Sequence, residues 1–255
     1  MKKIPSSLQR IWVVSVTLMV LVGADSASAG RFVSITETAT FSRGEGELVQ
    51  ATAFSSFTGG PHRENALELQ VGVEYGLLHR FQVGFALPNV ATVWTQNEKT
   101  TKVGGTAMWG LFNLIDPESA GWGLSFAAIY GQGDDDRAGE LVLLAEKPLG
   151  DWIFVYNGVL GRSWARIEEF GETDVMSHGL GASFQVSGSV YLGVEADWHM
   201  ENGAGSSWET AGKHLGPNLS VETGPLWITA AVNFAFGPGD NIPEKVFRTQ
   251  VGLPF

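Results

Sequence analysis

The chain contains no cysteine, so neither a disulfide framework nor a thiolate metal site is available to it. Charge is sparse as well: 17% of the residues are Asp, Glu, Lys or Arg, against roughly 25% in an average soluble domain. The formal net charge of −11 would repel phosphates and argues against a nucleic-acid partner. Apolar runs of helical membrane-span length, about 20 residues, are also missing. The one sustained run, Ile11 to Val22, is too short to span and follows Lys2, Lys3 and Arg10. Ala27-Ser28-Ala29 then supplies a small-x-small pattern. These features are expected to be a secretory signal peptide over residues 1–29, with cleavage before Gly30. Residues 30–45 are then read as an N-terminal periplasmic segment, and 46–255 as one domain.

Glycine and tryptophan are abundant instead, at 33 and nine residues. The mature chain alternates apolar and polar side chains with period two. Leu67, Leu69, Val71, Val73 and Tyr75 share one face, against Glu68, Gln70, Gly72 and Glu74 on the other. On a helix these residues would scatter around the axis, whereas on a strand they sort cleanly. The same rule holds over 81–87, 179–186, 190–200 and 226–236. The segments near Ala107, Phe126, Leu143 and Val155 are apolar on both faces in places.

About 12 segments of about 10 residues each can be counted, the length and even number expected of a tilted bacterial membrane barrel. They begin near residues 46, 65, 79, 102, 121, 138, 151, 174, 188, 211, 225 and 244. Connections alternate between short turns, such as Pro148-Leu149-Gly150, and longer polar loops, such as 201–210. Short periplasmic turns and long outer loops are the asymmetry of outer-membrane barrels. Trp122 and Trp152 open strands after short turns, while Trp94, Tyr130, Trp164 and Trp198 close strands before long loops. That placement predicts two interfacial belts. Alternation alone does not separate a membrane barrel from a soluble one. The polar face decides: it carries Gly and small residues with scattered Glu, Gln, Asn and Arg, not a dense Lys/Glu surface.

The final segment alternates Phe247, Thr249, Val251, Leu253 and Phe255 against Arg248, Gln250 and Gly252. It resembles the C-terminal signal read by the barrel-assembly machinery, with Phe247, Val251, Leu253 and Phe255 on the recognised face. Pro254 departs from the usual pattern and removes one ladder donor. The fold class expected is therefore an all-β, antiparallel transmembrane β-barrel in the cell outer membrane. Its partners would be outer-membrane lipid, lipopolysaccharide and that machinery, with a small-molecule solute as cargo.

The stretch Glu74-Tyr75-Gly76-Leu77-Leu78-His79-Arg80, continuing to Gly84 and Leu87-Pro88, is similar to a hairpin pattern in the family named for the MetA pathway of phenol degradation. Leu78-His79 stand where that pattern usually has Thr-Asp. The resemblance implies a barrel of outer-membrane transporter type and does not identify a substrate.

Chemistry-bearing clusters are few. His199-Met200-Glu201-Asn202-Gly203 is similar to the His-x-Ser-Asn-Gly of outer-membrane phospholipase A, but Glu201 occupies the nucleophile's position, so an enzyme is not expected. Asp134, Asp135 and Asp136 lack the ligand spread of a calcium loop and read as a solvated tip. The dispersed histidines give no metal spacing, and no cofactor is expected. The inward face is assigned Glu68, Gln70, Glu74, Gln82, Arg162, Gln185, Tyr191, Glu195, Asp197, Asn218, Asn233 and Arg248. Two readings of that face stay open: a narrow channel or transporter for small solutes, aromatic or apolar ones among them, and a non-conducting barrel with a structural or surface-interaction role. Rows of inward glycine favour the first; Tyr191, Trp227 and the paired charges favour the second.

Overall fold

The computed structural model describes residues 31–57, 64–133, 136–165, 172–203, 207–237 and 242–255. The expected signal peptide with its cleavage site, His62, and the tips of the long loops, including Asp134 and Asp135, lie outside them. Fourteen strand segments follow one another: β1 (Gly46–Phe57), β2 (Glu64–Leu78), β3 (Phe81–Ala86), β4 (Val90–Trp94), β5 (Lys99–Val103), β6 (Thr106–Ile115), β7 (Gly123–Gln132), β8 (Asp136–Leu149), β9 (Trp152–Ala165), β10 (Glu172–Ser187), β11 (Val190–Gly203), β12 (Glu209–Thr223), β13 (Leu226–Ala235) and β14 (Lys245–Pro254). A single helical turn, α1 (Pro117–Ala120), links β6 to β7.

These segments form a closed antiparallel barrel of twelve wall strands. β3 and β4 lie end to end along β2, interrupted at Leu87-Pro88-Asn89, and together make one wall strand. β5 and β6 do the same on their far side, with Gly104-Gly105 at the break. Proline removes a ladder donor, so the pause at Pro88 follows from the sequence. Closure is made by β1, which pairs with β2 on one edge and β14 on the other. Phe255 and Gly46 exchange backbone hydrogen bonds at 2.8 and 2.9 Å, fastening the last residue to the first strand. No edge is left open, which a sheet in hydrocarbon requires.

The side chains sort by the pleat. Leu48, Phe54, Leu69, Val73, Tyr75, Leu141, Leu143, Leu160, Leu180, Leu192, Leu219, Phe234 and Phe247 are exposed on the outside. An apolar surface this extensive is far beyond what a soluble monomer presents, and lipid is the solvent that suits it. Trp122, Trp152, Tyr130, Trp164 and Trp198 are exposed on the same face. The short turns are tight. Leu149 pairs with Trp152 across Gly150-Asp151, and Thr223 with Leu226 across Gly224-Pro225. Gly150 and Gly224 have φ of 62° and 60°. Positive φ at the first central position is what these two-residue hairpins demand of glycine.

Candidate functional site: the barrel lumen

The inner wall has two unlike halves. On β3 and β6 to β9 it carries an apolar patch: Ala107, Trp109, Leu111, Ala127, Ile129, Val142, Leu144 and Val159 form one buried cluster, bordered on the same strands by buried Gln82, Asn113, Ser125, Glu140, Glu146, Asn157 and Ser163. On β10 to β14, β1 and β2 it is polar. Here Glu68, Gln70, Glu74, Glu195, His199, His214, Asn218, Asn233, Arg248 and Gln250 are buried. Arg248 is set among the carboxylates of Asp197, Glu195 and Glu68.

Residues 31–43 lie between these walls. Residues 30–45 are expected from sequence to be a separate periplasmic segment; from Arg31 onward the chain runs inside the barrel. An extended chain with no sheet neighbour must satisfy its backbone by other means. Inward side chains do so in sequence around the lumen. Glu195 accepts from the N–H groups of Val33 (3.0 Å) and Ser34 (2.7 Å). Asn157 accepts from Thr36 N–H at 2.7 Å and donates to Thr36 O at 2.8 Å. Glu146 accepts from both the N–H and the hydroxyl of Thr38, and Asn113 and Ser125 donate to its carbonyl. Gln82 accepts from Phe41 N–H at 3.0 Å and donates to Glu74. Arg248 donates to the Ser34 hydroxyl, and Gln250 to Val33 O. Arg31 pairs with Glu37 at 2.8 Å and lies over the Tyr191 ring. Most of these wall residues stand within a few positions of the short-turn ends, so the segment fills the half of the lumen next to the short turns.

Apolar contacts complete the seat. Phe32 and Ile35 pack on Ile153 and Val155. A methyl group at Gly181 would overlap the Phe32 ring, and one at Gly179 would touch Ile35. Elsewhere the Trp109 indole lies against Gly84, and Trp227 against Gly252, where its N–H donates to Glu47. Inward glycines suggest open passage from sequence alone; Gly84, Gly179, Gly181 and Gly252 are instead notches filled by aromatic and segment side chains.

Of the residues assigned to the lumen, Glu68, Gln70, Glu74, Gln82, Tyr191, Glu195, Asn218, Asn233 and Arg248 are buried on the inner face, and Gln185 and Asp197 are half-buried there. Arg162 is not on that face. In β9 the buried positions are the odd-numbered ones, Ile153, Val155, Asn157, Val159 and Ser163. Arg162 therefore points outward with Leu160 and Trp164. It meets Asp174 at 2.6 Å and Glu172 at 3.1 Å on the exterior near the outer loops. Because β9 is apolar on both faces, period two gave no parity for it. Asn157, Glu146, Asn113 and Ser125 were missed; they gain meaning only once the segment they hold is seen. The available signal was Phe32, Val33, Ile35 and Phe41, too apolar for a stretch left in water.

The His199-Met200-Glu201 stretch acquires a serine from the neighbouring strand. Ser177 lies across from His199 in the ladder and bonds its Nδ1 at 2.6 Å, while His199 Nε2 meets Glu201 at 3.2 Å. His214 is similarly tied, to Asp197 and to the carbonyl of Pro243. Among the described residues no cluster of metal-ligating side chains forms.

No protein-family model matches the chain, and no curated relative does. Solved structures do. The COG4313 outer membrane channel from Pseudomonas putida F1 is similar with a TM-score of 0.64 at 12% identity, over 85% of this chain and 97% of that one. The β domain of the Bordetella autotransporter BrkA gives 0.59 at 14% identity, over 83% and 99%. The NanC porin gives 0.56 at 10% identity, over 81% and 98%. At such identities the likeness establishes the fold, which is that of an outer-membrane β-barrel.

Proposed function

We propose that this protein is a narrow outer-membrane channel or transporter for small solutes, apolar and aromatic ones among them, with its own N-terminal segment as a constriction. The observation that carries this reading is the two-sided lumen. A buried apolar patch over β3 and β6 to β9 faces a largely polar wall, and such a surface suits a solute with apolar bulk and a polar end. The segment between them is held by side chains rather than by a sheet ladder, so it can leave without breaking the barrel. The likeness to outer-membrane channels and porins supports the same class.

A non-conducting barrel is the second reading, favoured by how completely residues 31–41 are bonded to the wall. Planar-bilayer recording distinguishes the two. Wild-type protein is expected to conduct weakly, and a variant lacking residues 31–41 to conduct more, with a mild cation preference from Glu68, Glu195 and Asp197. A silent deletion variant that is shown to be folded would establish the structural role instead.

A further inference from the structure

The outer face carries a groove of about 670 Å³ across β8 to β12, on the side of the barrel where β9 and β10 pair. It exists because alanines fall where neighbouring positions carry large side chains. The register aligns Ala145, Tyr156, Leu180, Ala196 and Leu215 in one cross-strand row, and Lys147, Phe154, Ala182 and Val194 in the next. Ala145, Ala182 and Ala196 are its low points, with Phe154, Leu180 and Leu215 standing around them.

One end of the groove is polar. Lys147 lies two residues before the end of β8 and is exposed, and Trp122 also lines the groove. The Lys147 ammonium donates to Gly121 O at 2.6 Å, which uses one of its three donors. Both residues belong to the short-turn end, at the level of the periplasmic headgroups, where Trp and Lys anchor membrane proteins. A cation at the mouth of an apolar trough complements an acyl chain with a phosphate at its head.

We infer that this groove is a binding site for a phospholipid of the periplasmic leaflet, with one acyl chain along Ala145, Ala182 and Ala196 and the phosphate on Lys147. A chain lying in a concave trough contacts protein on three sides, where one lying on the convex belt contacts it on one. The added dispersion contacts distinguish this lipid from its neighbours in the annulus.

Photolabelling of the folded full-length barrel in nanodiscs tests this. The probe is phosphatidylglycerol carrying a diazirine in its acyl chain, and labelled peptides are mapped by mass spectrometry. Labelling should concentrate on the strands bearing Ala145, Ala182 and Ala196. Ala182→Phe/Ala196→Phe should lower it about fivefold, the effect of about 1 kcal/mol of lost contact. Ala230→Phe, on the outer face of β13, should leave it unchanged. Lys147→Glu should weaken labelling by this probe but not by a diazirine diacylglycerol, which has no phosphate. Each variant is first shown to shift on boiling, so loss of folding is not mistaken for loss of binding. Labelling spread evenly around the belt, or insensitive to the double substitution, would overturn the site. So would a cross-linked dimer joined through this face, since the groove would then seat a second copy. Equal loss of both probes in Lys147→Glu would remove the phosphate contact from the proposal.

Discussion

Glu195 shows how much one side chain can decide in this lumen. Its carboxylate takes two backbone N–H groups from the N-terminal segment and a third bond from Asn218 at 2.9 Å. Replacing it with alanine strands three buried donors, two of them on the segment, each at a cost of about 1–3 kcal/mol. Glu195→Ala is therefore expected to loosen the segment and raise single-channel conductance or open time, whereas Glu195→Gln, which keeps an acceptor, should do so less. Equal, unchanged traces from both would mean the segment does not limit conduction. Gly181 offers a second route to the same state. Gly181→Leu fills the space of the Phe32 ring, so it should expel the segment and expose Arg31 to trypsin. Unchanged cleavage would show that Phe32 finds another seat. Arg80 is a different case, the one described non-glycine residue with positive φ, at 65°. Among the described residues its side chain bonds Leu114 O, an exposed contact at 3.4 Å. Arg80→Gly should relieve about 1 kcal/mol of backbone strain, read as a higher urea midpoint in lipid vesicles.

At the scale of elements, β14 is where chemistry and assembly meet. Phe247, Leu253 and Phe255 are exposed on its outer face, and the backbone of Phe255 closes the seam onto Gly46. Deleting Phe255 removes two backbone hydrogen bonds at the point of closure as well as the aromatic end of the proposed assembly signal. Membrane-inserted protein is expected to fall severalfold, with the remainder in the periplasm. Undiminished insertion would mean that closure tolerates a frayed end and that no signal resides there. The N-terminal segment behaves oppositely. It contributes no ladder to the barrel before Gly44, which bonds Gly76 O at 2.9 Å. Its removal should spare assembly while changing conduction, and this separates its role from that of the wall.

The whole molecule is a ring of twelve strands in which each edge is paired. Opening such a ring exposes a full row of backbone donors and acceptors at once, so unfolding is slow and cooperative. Boiled and unboiled samples are expected to migrate differently on a detergent gel, and circular dichroism should be strand-dominated. Coincident bands would contradict closure. The two-sided lumen is also a property of this scale: β3 and β6 to β9 together assemble the apolar patch, which no one of them could form alone.

Period two, turn chemistry and the even strand count were legible in the sequence because each is local: a pleat sorts neighbours, and a glycine before proline makes its own turn. Strand starts, the inward course of Glu68, Glu74, Gln82, Glu195 and Arg248, and the outer aromatic belts all followed from that. The position of Arg162 did not, since a strand apolar on both faces carries no parity of its own and takes it from its neighbours. The course of residues 31–43 was equally out of reach. Their partners are spread from Gln82 to Gln250 and converge only when the ring closes. An inward glycine is ambiguous for the same reason: sequence tells that space is left, and only the tertiary structure decides whether Phe32, Trp109, Trp227 or a solute occupies it.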